Sequence, residues 1–217
     1  MSNLIQAVIW DLDGVILDSG EEHRKAWHRL AQQEGLPLTD AQFWATFGQR
    51  NDAIIPKLWG PMFPEHIREL ADRKEAYFRE FVRDAATPLP GAIELLSELR
   101  DAGYAQALAS STPIENIQLI SQVLDLKRFF SVLLSGEAVL HGKPAPDLFL
   151  KAAAELAVEP TRCLVIEDAV AGIEAAHAGD MRCIAVAGNR DLPGLRAADL
   201  LVKDLTEVHV EQIRELA

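Results

Sequence analysis

The 217-residue chain is 49% hydrophobic and 25% charged, with a formal net charge of -12 at pH 7; this is the balance of a globular protein, with length enough for a compact core and a smaller inserted domain. The acidity argues against a nucleic-acid partner or an anionic membrane surface, both of which need clustered Lys and Arg. No apolar run reaches the length of a membrane-spanning helix and Met1-Ser2-Asn3-Leu4 opens no export signal, so a cytoplasmic location is expected.

The first predicted strand covers residues 6–12, where the apolar run Ala7-Val8-Ile9-Trp10 leads into Asp11-Leu12-Asp13-Gly14. Carboxylates at i and i+2 are costly at a sheet edge unless a cation or hydrogen-bond donors meet them. Two readings stand: a divalent-metal site in which one Asp is also a nucleophile and its neighbour handles protons, or a polar turn of the common Asp-Gly kind. The next convincing strand starts only near Tyr104, far more chain than a crossover needs. The excess reads as helical over residues 21–34, 40–47, 53–59 and 65–84, and it holds Trp27, Trp44 and Trp59. We read residues 19–88 as an inserted all-helical cap domain over the active edge of the sheet, with residues 1–18 and 89–217 forming the core.

Beyond the insertion, strands (104–109, 132–134, 163–166, 182–186 and a weaker 200–202) alternate with helices (92–102, 113–124, 146–157 and 169–178). Gly103 suits the position just past the first of these helices, and Thr112 with Pro113 suits an N-cap followed by a first-turn proline. Short strands apolar on both faces, alternating with helices, predict an α/β fold with a doubly wound (Rossmann-like) parallel sheet. In such a fold ligands sit beyond the carboxyl ends of the strands. Cys163 and Cys183 open the apolar runs of two of these strands and read as buried, reduced thiols; with no further Cys nearby, zinc is not expected.

Four groups fall at strand ends or in the loops after them: Asp11 with Asp13; Ser110 after Ala107-Leu108-Ala109; Lys143 in Gly142-Lys143-Pro144-Ala145-Pro146-Asp147; and Glu167 with Asp168. Taken singly, Ser110 reads as part of a helix cap, Lys143 as a solvated lysine and Glu167-Asp168 as an N-cap. On one sheet edge they form a phosphoryl-transfer site, with carboxylates for a metal and a hydroxyl and an ammonium for phosphoryl oxygens. These four ordered motifs, with the cap-sized gap after the first, resemble the haloacid dehalogenase superfamily over nearly the whole chain. The similarity is to its helical-cap branch of β-phosphoglucomutase-like and phosphoglycolate-phosphatase-like enzymes.

The resemblance implies Asp11 as the nucleophile that forms an aspartyl-phosphate and Asp13 as the general acid and base. It also implies Mg²⁺ held by Asp11, the Asp13 carbonyl, Glu167 and Asp168, and phosphoryl binding by Ser110 and Lys143. In the cap it brings forward His23, Arg50 and Lys74 as substrate-facing residues, although Lys74, among Asp72, Arg73 and Glu75, reads alone as part of a solvated face. The run Ser110-Ser111-Thr112-Pro113-Ile114 departs from the mutase pattern, because proline and isoleucine remove polar phosphate contacts. Arg50 also lies closer to its glycine than in the mutases. The expectation is therefore an Mg²⁺-dependent phosphatase of small phosphorylated metabolites such as sugar phosphates, with a β-phosphoglucomutase-type reaction as the alternative. A monomer or small homo-oligomer is expected.

Overall fold

The computed structural model describes residues 4–188 and 193–216. Six strands, β1 (Ala7–Trp10), β2 (Ala105–Ser110), β3 (Val132–Ser135), β4 (Cys163–Glu167), β5 (Arg182–Val186) and β6 (Leu200–Val202), form one sheet. Its order is β3-β2-β1-β4-β5-β6 and every pairing is parallel. The doubly wound expectation holds.

Alternate residues of each strand enter different cores, which is why the strands read as continuous apolar runs. Val8 and Trp10 face one side, with Leu96, Ile117 and Ile213 from helices α5 (Ala92–Asp101), α6 (Ile114–Val123) and α9 (Val210–Glu215). Ala7 and Ile9 face the other, with Phe149 from α7 (Asp147–Glu155) and Ile173 from α8 (Val170–Ala178). Gly103, past α5, adopts φ 84 as a left-handed residue there should. α6 differs from expectation. It begins at Ile114 with Pro113 in the N-cap position, and the Thr112 hydroxyl accepts from Asn116 Nδ2 at 3.1 Å.

β1 ends at Trp10, two residues short of the predicted strand, because Leu12 folds back and its carbonyl accepts from the amides of Ile16 and Leu17. Four helices follow: α1 (Gly20–Glu34), α2 (Asp40–Trp44), α3 (Asn51–Trp59) and α4 (Pro64–Ala85). The Thr39–Gln42 capping box starts α2. Trp27, Leu30, Phe43, Ile54, Ile55 and Leu70 pack together as a core of their own. α4 reaches further: Phe78 and Val82 belong to the apolar cluster on the α5–α6–α9 side of the sheet. Among the described residues no helix is long and apolar enough to cross a membrane.

Candidate active site

Register assembles the site. Trp10 pairs with Leu108 on one side and Ile166 on the other, so Asp11, Ser110 and Glu167 emerge at the same carboxyl edge. Asp11 is fixed by its amide, which donates to the Ile166 carbonyl at 3.0 Å. Carboxylate oxygens of Asp11, Glu167 and Asp168 lie within 4.8 Å of one another, all on buried residues. Glu167 Oε2 accepts from the amides of Asp168 and Ala169, both at 2.7 Å, so its orientation is set by the turn into α8. Two glycines make room for these acids. A Cβ on Gly14 would lie 1.9 Å from Asp168 Oδ2, and one on Gly172 would lie 2.0 Å from Glu167 Oε1.

Lys143 lies over the Phe149 ring, with Nζ 4.8 Å from its centroid. It donates to Asp11 Oδ1 at 2.7 Å and to Glu167 Oε1. Burial opposes its charge, but the two carboxylates outweigh burial and hold it firmly protonated. Burial pushes the Asp11 carboxyl well above the carboxylate range; Lys143 opposes the rise, and Glu167, Asp168 and Asp13 add to it. Among the described residues Lys143 pairs with Asp11 and Glu167, and the Asp168 carboxylate lies within 4.8 Å of both acids. That oxygen-only, anion-rich donor set fits a hard divalent cation, which would relieve the desolvated negative charge.

Asp13 turns away from this cluster. It accepts from the Ser19 hydroxyl and lies 3.5 Å from His23 Nε2. Burial raises the Asp13 pKa, yet the hydrogen bonds from His23 and Ser19 and the charge of Lys74 prevail, and the carboxyl ends below its ordinary value. His23 stacks on Phe78 at 3.8 Å and 5°, and its Nδ1 is 2.7 Å from Lys74 Nζ. An ammonium only donates, so Nδ1 accepts and the ring proton sits on Nε2, facing Asp13. Lys74, which in sequence resembles a solvated lysine, is 2% exposed and pairs with Glu75 Oε1 at 2.8 Å.

Asp11, Asp13, His23, Lys74, Ser110, Lys143, Glu167 and Asp168 all line one cavity. The Ser110 hydroxyl accepts from the Thr112 amide at 3.2 Å. Arg50 does not join them. Its guanidinium grips Asp52, at 3.2 and 2.8 Å, and reaches the carbonyls of Gly136 and Val139 at 3.2 and 3.4 Å, so a carboxylate two residues away and two loop carbonyls satisfy its donors outside this lining. Residues that the sequence reading did not single out also take part: Ser19 on Asp13, and Glu75, Asn51 and Asn116 behind Lys74. The signal for Glu75 was its place beside Lys74; Asn116 carries none.

A family model described as haloacid dehalogenase-like hydrolase matches residues 5–180. The chain is 30% identical over 205 residues to validoxylamine A 7'-phosphate phosphatase of Streptomyces hygroscopicus subsp. limoneus, covering 94% of this chain and 96% of that protein. It is 32% identical over 212 residues, 96% of this chain, to the chloroplastic 5-amino-6-(5-phospho-D-ribitylamino)uracil phosphatase of Arabidopsis thaliana, and spans 57% of that protein's length. The solved structure of β-phosphoglucomutase from Clostridium difficile matches with a TM-score of 0.88 at 27% identity, covering 98% of this chain and 97% of that one. The matched region contains Asp11, Asp13, Ser110, Lys143, Glu167 and Asp168, and this chain belongs to the haloacid dehalogenase-like hydrolases.

Proposed function

We propose that the protein is an Mg²⁺-dependent phosphatase of small phosphorylated metabolites, sugar phosphates among them, working through an aspartyl-phosphate on Asp11. One observation carries this reading: a buried nucleophile candidate, held by Lys143, shares its cavity with a compact acidic trio and with a second, separately held carboxyl group, Asp13. Asp11, Glu167 and Asp168, with the Asp13 carbonyl, would hold the metal, which when bound supplies positive charge against the phosphoryl oxygens.

The residues of the chain divide the remaining work. Lys143 and the Ser110 hydroxyl bind phosphoryl oxygens. An Asp11 oxygen attacks phosphorus, the bond from phosphorus to the leaving oxygen breaks, and the Asp13 proton goes to that oxygen. In the second half, water attacks the same phosphorus, gives its proton to Asp13, and the Asp11–phosphorus bond breaks to release inorganic phosphate. The protein alone favours ionised Asp13, the form the second half requires. Dianionic substrate beside Asp13 favours the protonated form that the first half requires. The helices at residues 20–85 act as a cap over this edge and keep bulk water from the acyl phosphate.

The likeness to β-phosphoglucomutase, together with His23 and Lys74 beside Asp13, supports a second reading in which a sugar hydroxyl replaces water. Hydrolysis is favoured because Arg50 is committed to Asp52, and because Pro113 and Ile114 bring no polar side chain to the start of α6. Phosphate monoesters assayed with Mg²⁺ and then with EDTA test the proposal: metal-dependent phosphate release is expected, and its absence across the panel would refute it. Conversion of β-glucose 1-phosphate into glucose 6-phosphate without stoichiometric phosphate release would establish the second reading instead.

A further inference from the structure

α4 and α6 meet at a buried polar contact that the proposed chemistry does not use. Asn116, fully buried on α6, engages its whole amide there. Nδ2 donates to Glu75 Oε2 at 2.6 Å and to Thr112 Oγ1 at 3.1 Å, and Oδ1 accepts from Arg79 Nη1 at 2.9 Å. An amide satisfied on both sides in a buried site has one orientation. The other Glu75 oxygen, Oε1, accepts from Lys74 at 2.8 Å and from Asn51 Nδ2 at 2.7 Å. Lys74 meets His23, and His23 meets Asp13. An unbroken run of polar contacts therefore joins α6, on the flank of the sheet, to Asp13 by way of α4 and α1.

The Lys74 ammonium lies 5.4 and 5.5 Å from the ring centroids of Trp27 and Phe78. A buried ammonium among aromatic rings needs an anion in a fixed place, and Glu75 is that anion. We infer that Asn116 is a positioning residue: by clamping Glu75 it fixes Lys74, and through Lys74 it fixes the His23 ring against Asp13. Because Asn116 belongs to α6 while Glu75 and Arg79 belong to α4, the clamp exists only where α4 lies on α6. Docking of the helical insertion thereby completes the Asp13 half of the site, whereas the Asp11 half is built by the sheet with the loops and helices that follow its strands.

This inference rests on the role proposed for Asp13, and its test separates the two. Asn116→Ala is compared with Glu75→Gln, a second variant that keeps one carbonyl oxygen as an acceptor. Nitrophenolate leaves without needing a proton, whereas a sugar alkoxide requires one, so p-nitrophenyl phosphate bypasses the acid in the first step and still needs the base in the second. With enzyme in excess, nitrophenolate release by either variant is expected to stay within about threefold of the parent, while steady-state turnover of p-nitrophenyl phosphate and of glucose 6-phosphate falls by about tenfold. Loss of nitrophenolate release by the same factor as turnover would indicate general loosening of the site and overturn the inference. Unchanged turnover on both substrates would overturn it as well. The underlying reading fails differently: the parent protein would release no phosphate in a metal-dependent way, or Asp13→Asn would turn over normally.

Discussion

Replacing Lys74 by methionine keeps the length of the side chain and removes its charge, leaving Glu75 with two amide donors and no cation. The pair is buried, with side chains 3% and 5% exposed and a separation of 2.8 Å. At an effective dielectric of about 20 the gross attraction at that distance is about 6 kcal/mol. The hydrogen bonds from Asn51 and Asn116 remain, and Glu75 can escape by taking up a proton, so the net loss is about 3 kcal/mol, at the low end for a broken buried pair. For a chain of this size that lowers Tm by about 6–12 °C.

The pH dependence fixes the sign. In the parent, burial raises the Glu75 pKa, but Lys74, His23 and the hydrogen bonds outweigh it and the folded value lies below the ordinary one. Its ionisation therefore stabilises the parent above the unfolded pKa, and that stability is lost as pH falls through the folded pKa. Without Lys74, burial dominates and the folded pKa lies above the unfolded one, so the variant loses stability as pH rises from about 4.5. Urea unfolding at several pH values should show a small gap between variant and parent near pH 4 and the full gap near pH 8. Adding Glu75→Gln to Lys74→Met should restore most of the loss, because no uncompensated charge then remains buried. A gap independent of pH, or a double variant as unstable as the sum of the singles, would refute the reasoning.

Other outcomes follow from the geometry. Asp11→Asn should abolish the phosphoenzyme, seen as loss of the added phosphoryl mass in quenched samples. Gly172→Ala places a carbon 2.0 Å from the Glu167 carboxylate; the displaced acid should weaken Mg²⁺ binding at least about tenfold by titration calorimetry. Asp199 accepts from the Cys183 amide, His177 and Arg182 at 2.9, 3.1 and 2.7 Å, and these partners outweigh burial and lower its pKa. Asp199→Asn should therefore cost about 1 kcal/mol at neutral pH, with the difference vanishing as pH falls below the folded pKa, as followed by thermal unfolding.

What was legible from sequence was whatever a local pattern encodes. Val8, Leu108 and Ile166 lie in short runs apolar on both faces, the mark of strands covered on both sides, and the acids and the lysine that follow such runs must share an edge once the strands are parallel. Burial of a polar helix residue has no such mark. Lys74 and Glu75 lie in a charged stretch that looks solvated, and only the approach of α1 and α6 encloses them. The family resemblance brought Arg50 forward as substrate-facing, but whether Asp52 would claim its guanidinium depends on backbone angles that spacing does not reveal. Pro113 was readable as a helix start, though not as the cap itself, since boundaries depend on single hydrogen bonds.

α4 has its fulcrum in one apolar cluster and its arm in another. At 1.5 Å per residue, Lys74 stands about 12 Å from Val82 along the helix axis and Pro64 about 27 Å. A tilt of about 10° about the Val82 end would carry Pro64 by about 5 Å and Lys74 by about 2 Å, enough to break a hydrogen bond. Repacking around Val82, which lies outside the lining of the cavity, is thus geared to the alignment of Lys74 and His23 with Asp13.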